Sequence, residues 1–383
     1  MWPESKESKK NKPVPKLRTG LTTGSCATAC CVAAAYGMFN GVYDPRVVTI
    51  TLPSKKKGRS SGKQIDVGLP IFKIEKTEDA VAAYTIKDAG DDPDVTHGAT
   101  VWVALRKTNE KRVRFFAGQG VGTVTKAGLE LEIGEPAINP VPRQMMMEHL
   151  QSLSVEFGYD GGFDVTVGVE GGEDLALKTM NPRLGIQGGL SILGTSGIVR
   201  PFSCSAYIAS IHQGVDVALT NGESHIAAST GNQSENAIRG MYLLKDMAMI
   251  EMGDFVGALL KHIRARYKQG QSVPEKLSIC AGFGKLTKLA EGHMDLHSRA
   301  SQINFDNLSK WVKQIGGNAE LLEKVESANT SVEVLKLCQQ QGLGLADLVC
   351  QLATEKIYEV VPNTVLVEVF AINRQGKIVG SVK

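Results

Sequence analysis

Three consecutive strand–loop–helix units between residues 225 and 290 constrain the fold more than any other part of this chain. Each unit opens with a short apolar run (HIAAST, MAMIEM or KLSICAG) and passes through a polar turn into a helix-like segment. Short apolar strands that alternate with helices are typical of a parallel sheet with crossover helices. The sequence therefore predicts a Rossmann-like α/β domain over residues 156–300, in which ligands bind at the carboxyl ends of the strands.

The turns after these predicted strands carry residues suited to an adenosine-containing ligand. Glu251 ends the second strand, twenty positions after Gly231 in the first turn. Nucleotide-binding folds place an acidic residue at this spacing, where it contacts the ribose hydroxyls. The glycines do not form GxGxxG, so a single adenosine fits the pattern as well as a dinucleotide does. The alternative is that Glu251 is merely a carboxylate at a strand end.

The remainder of the chain divides into three segments. Residues 1–16 hold five lysines and three prolines, which predicts a disordered basic tail. Residues 17–155 combine an Ala-rich helix with several strand-like runs and predict a strand-rich, mixed α+β domain, in which the basic loop over residues 55–63 is a solvated hairpin tip. Residues 301–383 predict a helical subdomain with a closing β-hairpin.

Polar residues stand at the start of the Ala-rich helix. Thr22, Thr23 and Ser25 lie where a helix leaves backbone N–H groups without intrahelical partners. Such a position binds a carboxylate or phosphate, although a plain N-cap explains the same residues. Cys26 follows this turn, but no base accompanies it in the sequence, so it is not interpreted as a nucleophile.

Two further loops of the first half carry candidate site residues. In GDDPDVTHGA, Asp94, Thr96 and His97 precede a strand; the acidic residues lack the twelve-residue calcium pattern, which favours a turn over a cation site. GEPAINPVPR contains three prolines and ends at Arg143. An arginine held by so rigid a segment is predicted to fork onto a carboxylate.

The stretch from residue 181 to residue 201, NPRLGIQGGLSILGTSGIVRP, is unusually rich in glycine for so apolar a segment. Dense glycine lets backbone approach backbone or a ligand closely. The stretch is interpreted either as a buried strand and turn that walls a pocket or as a tight core crossing without a ligand. Its candidate site residues are Gly188, Gly189, Thr195 and Arg200.

The sequence carries only weak signals for a phosphate loop or a metal site. GQGVGT lacks the following GK[ST] of a phosphate loop. His293, Asp295 and His297 form HxDxH, but no fourth ligand is apparent, so a polar loop is favoured and no protein-bound metal is predicted.

Composition excludes several classes of protein. A net charge of +3 is too small to suggest nucleic-acid binding by itself. No run approaches the ~18 apolar residues of a membrane span, and the N-terminus lacks the apolar core of a signal peptide. The seven cysteines form no CxxC pair and are interpreted as buried free thiols of a cytoplasmic protein. The oligomeric state, a homo-oligomer included, stays open.

Several long motifs together resemble one family. They are LRTGLTTGSCA, GDDPDVTHGA, GVGTVTKAGL, GEPAINPVPR, the glycine-rich stretch and GHMDLHS, and the resemblance to the CbiD family runs from Leu17 onward. It implies a cobalt-precorrin-5B C1-methyltransferase of anaerobic cobalamin biosynthesis. The methyl group of S-adenosylmethionine would pass to C1 of a cobalt corrinoid, giving cobalt-precorrin-6A, with cobalt present only inside the substrate.

The roles of the candidate residues are our own inference, because the resemblance supports the motifs but does not assign roles to single residues. S-adenosylmethionine is predicted to contact Thr230, Gly231, Asn232, Glu251, Gly253, Asp254 and Gly282. The corrinoid is predicted to contact Thr22, Ser25, Asp94, Thr96, Arg143, Gly188, Gly189 and Thr195. Thr23, His97 and Arg200 are predicted to act at the reacting centre, with no indispensable acid–base residue among them.

Two other classes of function remain alternatives at this stage. A non-catalytic tetrapyrrole carrier or scaffold would bind the corrinoid but not S-adenosylmethionine. A kinase or ligase acting on a polyanion would need Mg²⁺ and a phosphate loop, for which GQGVGT is a poor candidate.

Overall fold

The computed structural model describes residues 17–41, 43–44, 46–53 and 65–383. The predicted basic tail and the basic loop over residues 55–63 therefore lie outside the described residues. Within the described residues, none of the helices combines the length and the hydrophobicity that crossing a membrane requires.

Helices and strands follow each other along the whole described chain. The strands are β1 (Gly20–Leu21), β2 (Val47–Leu52), β3 (Ile65–Pro70), β4 (Lys73–Lys76), β5 (Val81–Ile86), β6 (Thr100–Thr108), β7 (Val113–Ala117), β8 (Thr123–Val124), β9 (Gly162–Val169), β10 (Ile186–Gln187), β11 (Ile198–Val199), β12 (His225–Ser229), β13 (Met249–Glu251), β14 (Lys276–Gly282), β15 (Leu366–Ile372) and β16 (Ile378–Val382). The helices are α1 (Thr23–Asn40), α2 (Pro140–Glu156), α3 (Gly172–Ala176), α4 (Cys204–Thr220), α5 (Asn232–Arg239), α6 (Val256–Lys268), α7 (Phe283–Ala290), α8 (Phe305–Gln314), α9 (Ala319–Glu326), α10 (Ser331–Gln340) and α11 (Leu345–Tyr358).

The chain forms two compact units, each built from several segments. The first unit comprises the described residues up to Val121 together with Pro136–Lys178 and Leu190–Ser203. The second unit comprises Gly122–Glu135, Thr179–Gly189 and Cys204–Lys383.

The first unit is built on a five-stranded mixed sheet with the order β4-β5-β6-β9-β7. All neighbouring strands are antiparallel except β7 and β9, which are parallel. Helix α1 packs on this sheet and is buried along most of its length. Its alanine and cysteine side chains are small, so the helix lies close to the strands. This unit confirms the predicted strand-rich, mixed α+β fold.

The second unit contains a five-stranded sheet with the order β13-β12-β14-β15-β16. The first four strands are parallel and β16 is antiparallel to β15. One core joins this sheet to α4, α6, α7 and α11, whereas Ile238 of α5 packs with Ala227 and Cys280 in a separate cluster. Successive side chains of a strand point to opposite faces of the sheet, and the two clusters show that helices cover both faces. The structure confirms the predicted Rossmann-like sheet and the helical segment that follows it.

Strand β9 and the hairpin β15–β16 join different sheets or segments from those expected. Strand β9 pairs with β6 and β7 in the first unit, so the observed division does not follow the boundary expected at residue 155. The hairpin β15–β16 extends the parallel sheet instead of belonging to the helical subdomain expected from residue 301. The local pattern identifies a strand, but its partner depends on residues distant in sequence.

Candidate functional site

The carboxyl ends of β12, β13 and β14 form one edge of the second-unit sheet, which we call the sheet edge. Ser229 of β12 lies in register with Glu251 of β13 and with Cys280 of β14, so the three strands end near the same level. The strand order makes β12 the centre of this group. The sheet edge contains every residue predicted to contact the cofactor: Thr230, Gly231, Asn232, Glu251, Gly253, Asp254 and Gly282.

Two helices begin at the sheet edge immediately after glycines. Gly231 precedes α5 with φ 151°, and Gly282 precedes α7. A Cβ atom built on either glycine would meet no described atom within 4 Å, which shows open space in front of both turns. Helix N-termini carry partial positive charge and unpaired N–H groups. The sheet edge therefore offers both room and hydrogen-bond donors to a polar ligand.

Tyr207 of α4 approaches the turn that follows the strand-end acid. Burial, together with the nearby carboxylates of Glu251 and Asp254, raises the pKa of its hydroxyl to about 12. The phenol thus stays protonated near neutral pH and can donate a hydrogen bond at this turn. Gly253, at φ 55°, allows this approach, since a Cβ there would lie 2.9 Å from the Tyr207 hydroxyl.

Lys285 of α7 connects two of the turns at the sheet edge. Its Nζ lies 3.1 Å from Oδ1 of Asp254 and donates to the carbonyl of Thr230 at 3.3 Å. The ammonium neutralises Asp254 and ties the turn after β13 to the turn after β12. Beside them, the hydroxyl of Ser229 is buried and has no hydrogen-bond partner within the described part of the chain.

Sequence reasoning missed Tyr207, Ser229 and Lys285 as members of this site. The structure packs Tyr207 of α4 against the core and places its hydroxyl against Gly253, in the turn that follows Glu251. Lys285 stands three residues after Gly282 in the first turn of α7, which is the one sequence signal that could have identified it.

Four of the motifs meet in the first unit, in an arrangement that we call the motif cluster. Strand β1 pairs with β11, which brings Gly20 opposite Val199. Thr19 bridges to Gly90 in the GDDPDVTHGA loop. Ile138, in the proline-rich segment, bridges to Ile192 in the glycine-rich stretch. The glycine-rich stretch therefore runs beside β1 and the proline-rich segment, and the GDDPDVTHGA loop joins them through Thr19.

The start of α1 is an N-cap closed by the glycine-rich stretch. Thr22 caps the helix by accepting the Ser25 N–H at 3.1 Å, and Gly24 donates its N–H to the carbonyl of Leu193 at 3.0 Å. The Ser25 hydroxyl donates to the carbonyl of Gly197 at 2.7 Å. Ser25 is 0% exposed and Thr23 is 6% exposed, so in this conformation their side chains stabilise the loop and the helix. The capping alternative describes this geometry better than an open anion site does.

Asp94 is bound to a buried lysine. Nζ of Lys87, whose side chain is 3% exposed, donates to Oδ2 of Asp94 at 2.5 Å, and the Thr96 hydroxyl donates to Oδ1 at 2.6 Å. Burial raises the pKa of the Asp94 carboxyl, but the Lys87 charge and the hydrogen bonds lower it more, so this pKa lies below its usual range. Asp94 and Thr96 therefore hold the loop together from inside.

His97, in contrast, is an exposed member of the same loop. Its Nδ1 accepts the backbone N–H of Ala89 at 3.1 Å. This bond requires Nδ1 to be unprotonated, which assigns the neutral tautomer with hydrogen on Nε2. The histidine side chain is 51% exposed, so Nε2–H is accessible to a ligand.

The two predicted arginines differ in their surroundings. Arg143 donates from Nε to the carbonyl of Ile138 at 2.7 Å and from Nη2 to that of Pro136 at 3.0 Å. The rigid segment thus holds the guanidinium through two of its own carbonyls, and the predicted contact of Arg143 with a ligand carboxylate stays a prediction. Arg200 is exposed and follows β11 directly.

The remaining predicted residues lie on the glycine-rich stretch. Thr195 and Gly188 are exposed, whereas Gly189 is buried and its carbonyl accepts from Asn181 at 3.3 Å. The glycine requirement is steric at Gly194, where a Cβ would lie 2.3 Å from Oγ1 of Thr22.

The thiols and the HxDxH segment show no metal-binding arrangement in the residues that the structure describes. His297 accepts the Arg299 N–H at 3.1 Å, and Asp295 accepts the His297 N–H at 3.0 Å, as in a polar loop. Burial raises the pKa of the Cys26 thiol to about 12, which suits an unreactive core residue. Cys204 is exposed and so departs from the expectation that all cysteines are buried.

Comparison with known proteins identifies the family. The CbiD family model matches residues 8–201, and the model of the CbiD C-terminal domain matches residues 295–383. A relative from Marinomonas sp., named cobalt-precorrin-5B C(1)-methyltransferase, is 56% identical, covering 99% of this chain and 97% of the relative. A relative of the same name from Pseudomonas syringae pv. tomato is 57% identical, covering 98% and 97%. A crystal structure of cobalamin biosynthesis protein (cbiD) from Archaeoglobus fulgidus is 25% identical, covers 70% of this chain and 78% of that chain, and aligns with a TM-score of 0.35. On the sequence matches, this chain belongs to the CbiD family.

Proposed function

We propose that this protein is a cobalt-precorrin-5B C1-methyltransferase of cobalamin biosynthesis that uses S-adenosylmethionine as its methyl donor. The observation that carries the proposal is the 57% identity, over 98% of this chain, to a relative with that name. The family resemblance and the geometry of the sheet edge support the identity of the donor.

The residues of the sheet edge fit an adenosyl group. The carboxylate of Glu251, which lies near Tyr207, can accept hydrogen bonds from both ribose hydroxyls. The open turns at Gly231 and Gly282 leave room for the ligand beside two helix N-termini. Lys285 and Asp254 hold the surrounding turns in place. When bound, S-adenosylmethionine supplies an electrophilic methyl group on its sulfonium.

The motif cluster provides groups for the carboxylates of a corrinoid. Exposed Arg200 carries a permanent positive charge, and exposed His97 presents an N–H donor. Thr195, also exposed, adds a hydroxyl. Thr23 is buried and would act by positioning α1 and its Thr22 cap.

The reaction requires orientation more than acid–base chemistry. A bond forms between C1 of the macrocycle and the methyl carbon while the sulfur–methyl bond breaks. Its electron pair stays on sulfur as S-adenosylhomocysteine, and the methylated ring loses a proton to solvent. The chain's residues bind the two substrates, align the reacting carbon and exclude water.

Calorimetric titration with S-adenosylhomocysteine and a turnover assay with cobalt-precorrin-5B test the proposal. We expect one-to-one binding of the thioether and a product whose mass increases by one methyl group only when S-adenosylmethionine is present. Corrinoid binding without any binding of S-adenosylhomocysteine, with or without the corrinoid, would instead support a tetrapyrrole carrier.

A matched pair of variants tests the location of the cofactor site. Glu251→Ala should weaken S-adenosylhomocysteine binding while corrinoid binding persists. Glu320→Ala removes an exposed glutamate from α9 and should change neither. Unchanged binding of S-adenosylhomocysteine by Glu251→Ala would contradict the assignment of the ribose contact.

A further inference from the structure

Phe202 has an unusual backbone conformation. Its φ is +55°, and it is the one non-glycine residue with positive φ within the described part of the chain. A bulky L-residue in the left-handed region is a steric outlier. The residue follows Pro201 at the end of the glycine-rich stretch in the first unit.

A hydrogen bond from the motif cluster holds this conformation. Oδ1 of Asp92 accepts the backbone N–H of Phe202 at 2.8 Å. Asp92 belongs to the GDDPDVTHGA loop, which also presents His97. The bond uses only the main chain of Phe202, so glycine would make it equally well and without steric strain.

The aromatic ring is exposed although the backbone is held. Phe202 is 67% exposed, a large fraction for a phenylalanine. Strained residues persist where the surrounding structure over-determines them, often at binding sites. An exposed ring that the fold orients through a strained backbone is suited to contact a ligand rather than to fill a core.

We infer that Phe202 is a substrate-binding residue whose ring packs against an apolar face of the corrinoid macrocycle. This inference rests on the proposed function. The neighbouring Arg200 is exposed and positively charged, so one short segment offers an apolar surface and a carboxylate partner. A large, mostly flat macrocycle that carries carboxylates at its rim has the same combination of chemistry.

Phe202→Gly removes the aromatic ring and relieves the backbone strain at the same time. Corrinoid binding then reports on the ring, and the melting temperature reports on the backbone. With cobyrinic acid as the probe, a stable cobalt corrinoid with free carboxylates, we expect binding to weaken about 10-fold or more. The melting temperature should stay unchanged or rise, since glycine accepts this φ. Affinity for S-adenosylhomocysteine should not change.

Three further variants make the result specific. Phe202→Asn tolerates the left-handed conformation and should lose corrinoid affinity as Phe202→Gly does. Phe202→Tyr retains the ring and should bind like the wild type. Phe116→Ala removes another exposed phenylalanine from β7 of the first unit and should leave corrinoid binding unchanged.

The outcomes distinguish this inference from the proposed function. Equal corrinoid affinity of the wild type and Phe202→Gly would overturn the inference alone. A lowered melting temperature of both Phe202→Gly and Phe202→Asn would also overturn it, because the ring would then stabilise the fold. No corrinoid binding by the wild type, alone or with S-adenosylhomocysteine, would overturn the inference and the proposed substrate together.

Discussion

The hydroxyl of Tyr207 lies so close to Gly253 that a Cβ on this glycine would be 2.9 Å from it, although the two residues lie 46 positions apart in the sequence. Tyr207 belongs to α4 and Glu251 ends β13, so a helix outside the strand places a phenol against the turn that follows the strand-end acid. A carboxylate with a donor beside it needs less reordering when a ribose binds.

Tyr207→Phe removes the hydroxyl beside Glu251 and should weaken S-adenosylhomocysteine binding about 3- to 10-fold, the usual range for one hydrogen-bonding group removed from a ligand site. The melting temperature should change little, because the phenylalanine ring can still pack against Phe255, whose ring centre lies 5.5 Å away. Titration of Tyr207→Phe, Glu251→Ala and the double variant should give a non-additive result. Additive losses of S-adenosylhomocysteine affinity would show that Tyr207 does not act through Glu251. The matched control is Tyr267→Phe, which changes an exposed tyrosine.

Replacement of the three residues predicted at the reacting centre should produce graded losses of turnover. Thr23→Ala, His97→Ala and Arg200→Ala each remove a positioning or binding contact from the motif cluster, but the activated sulfonium leaves no step that requires one acid or base. Single-turnover kinetics at saturating concentrations of both substrates should retain measurable methylation in each variant. Complete loss in one variant that still binds both substrates would indicate general acid–base catalysis by that residue.

Asp94→Asn should destabilise the first unit by about 3–5 kcal/mol, because it leaves the buried Lys87 ammonium without its charged partner. Urea denaturation at neutral pH measures this loss. Asp160→Asn breaks a surface pair with Lys111 whose two side chains are 90% and 75% exposed, and it should have little effect.

The same pair predicts a pH dependence of stability. The pKa of Asp94 is lower in the folded chain than its usual value, so the folded state binds this proton less tightly than the unfolded state does. Its contribution is present above the unfolded pKa of about 4 and decreases as the pH falls towards the lower folded value. As the pH falls from about 5 to about 3, the urea midpoint of denaturation should decrease less steeply in Asp94→Asn than in the wild type. Parallel pH profiles would contradict this assignment.

Gly197→Ala, in the first unit, should lower the free energy of unfolding much more than Gly188→Ala, in the second unit, does. Both glycines have positive φ, 72° and 82°, so both variants carry backbone strain of about 1 kcal/mol. A Cβ at Gly197 would also lie 2.6 Å from Cδ2 of Leu52 and 2.9 Å from Oγ of Ser25, whereas one at Gly188 meets nothing within 4 Å. We expect an additional loss of about 1–3 kcal/mol at Gly197, measured by urea denaturation. Equal losses would show that the loop can move away from α1.

The turns that follow the parallel strands of the second unit, and the residues that they carry, could be predicted from the sequence. Alternating short strands and helices predict a parallel sheet, and the carboxyl ends of parallel strands meet at one edge. Thr230, Glu251 and Gly282 could therefore be assigned to one region before any contact was known, and the structure places all three at the sheet edge.

Roles that depend on hydrogen-bond partners were harder to assign. The guanidinium of Arg143 donates to two backbone carbonyls of its own segment, which the sequence does not predict. The hydroxyl of Ser25 donates to the carbonyl of Gly197, 172 residues away in sequence. The predicted substrate contacts of both residues stay predictions. Sequence shows which donors exist; only the folded chain shows which acceptors they reach.

The sequence by itself determined the periodicity of the strands and helices, the turns that carry glycine and polar residues, and membership of the CbiD family. Each of these depends on residues near one another or on motifs that can be compared directly. The tertiary structure decided that β9 joins the first sheet, that Tyr207 packs against the turn after Glu251 and that Asp92 holds Phe202 at positive φ. These features arise from contacts between distant segments, whose pairing is selected by packing and hydrogen bonding over the whole unit and not by local preference.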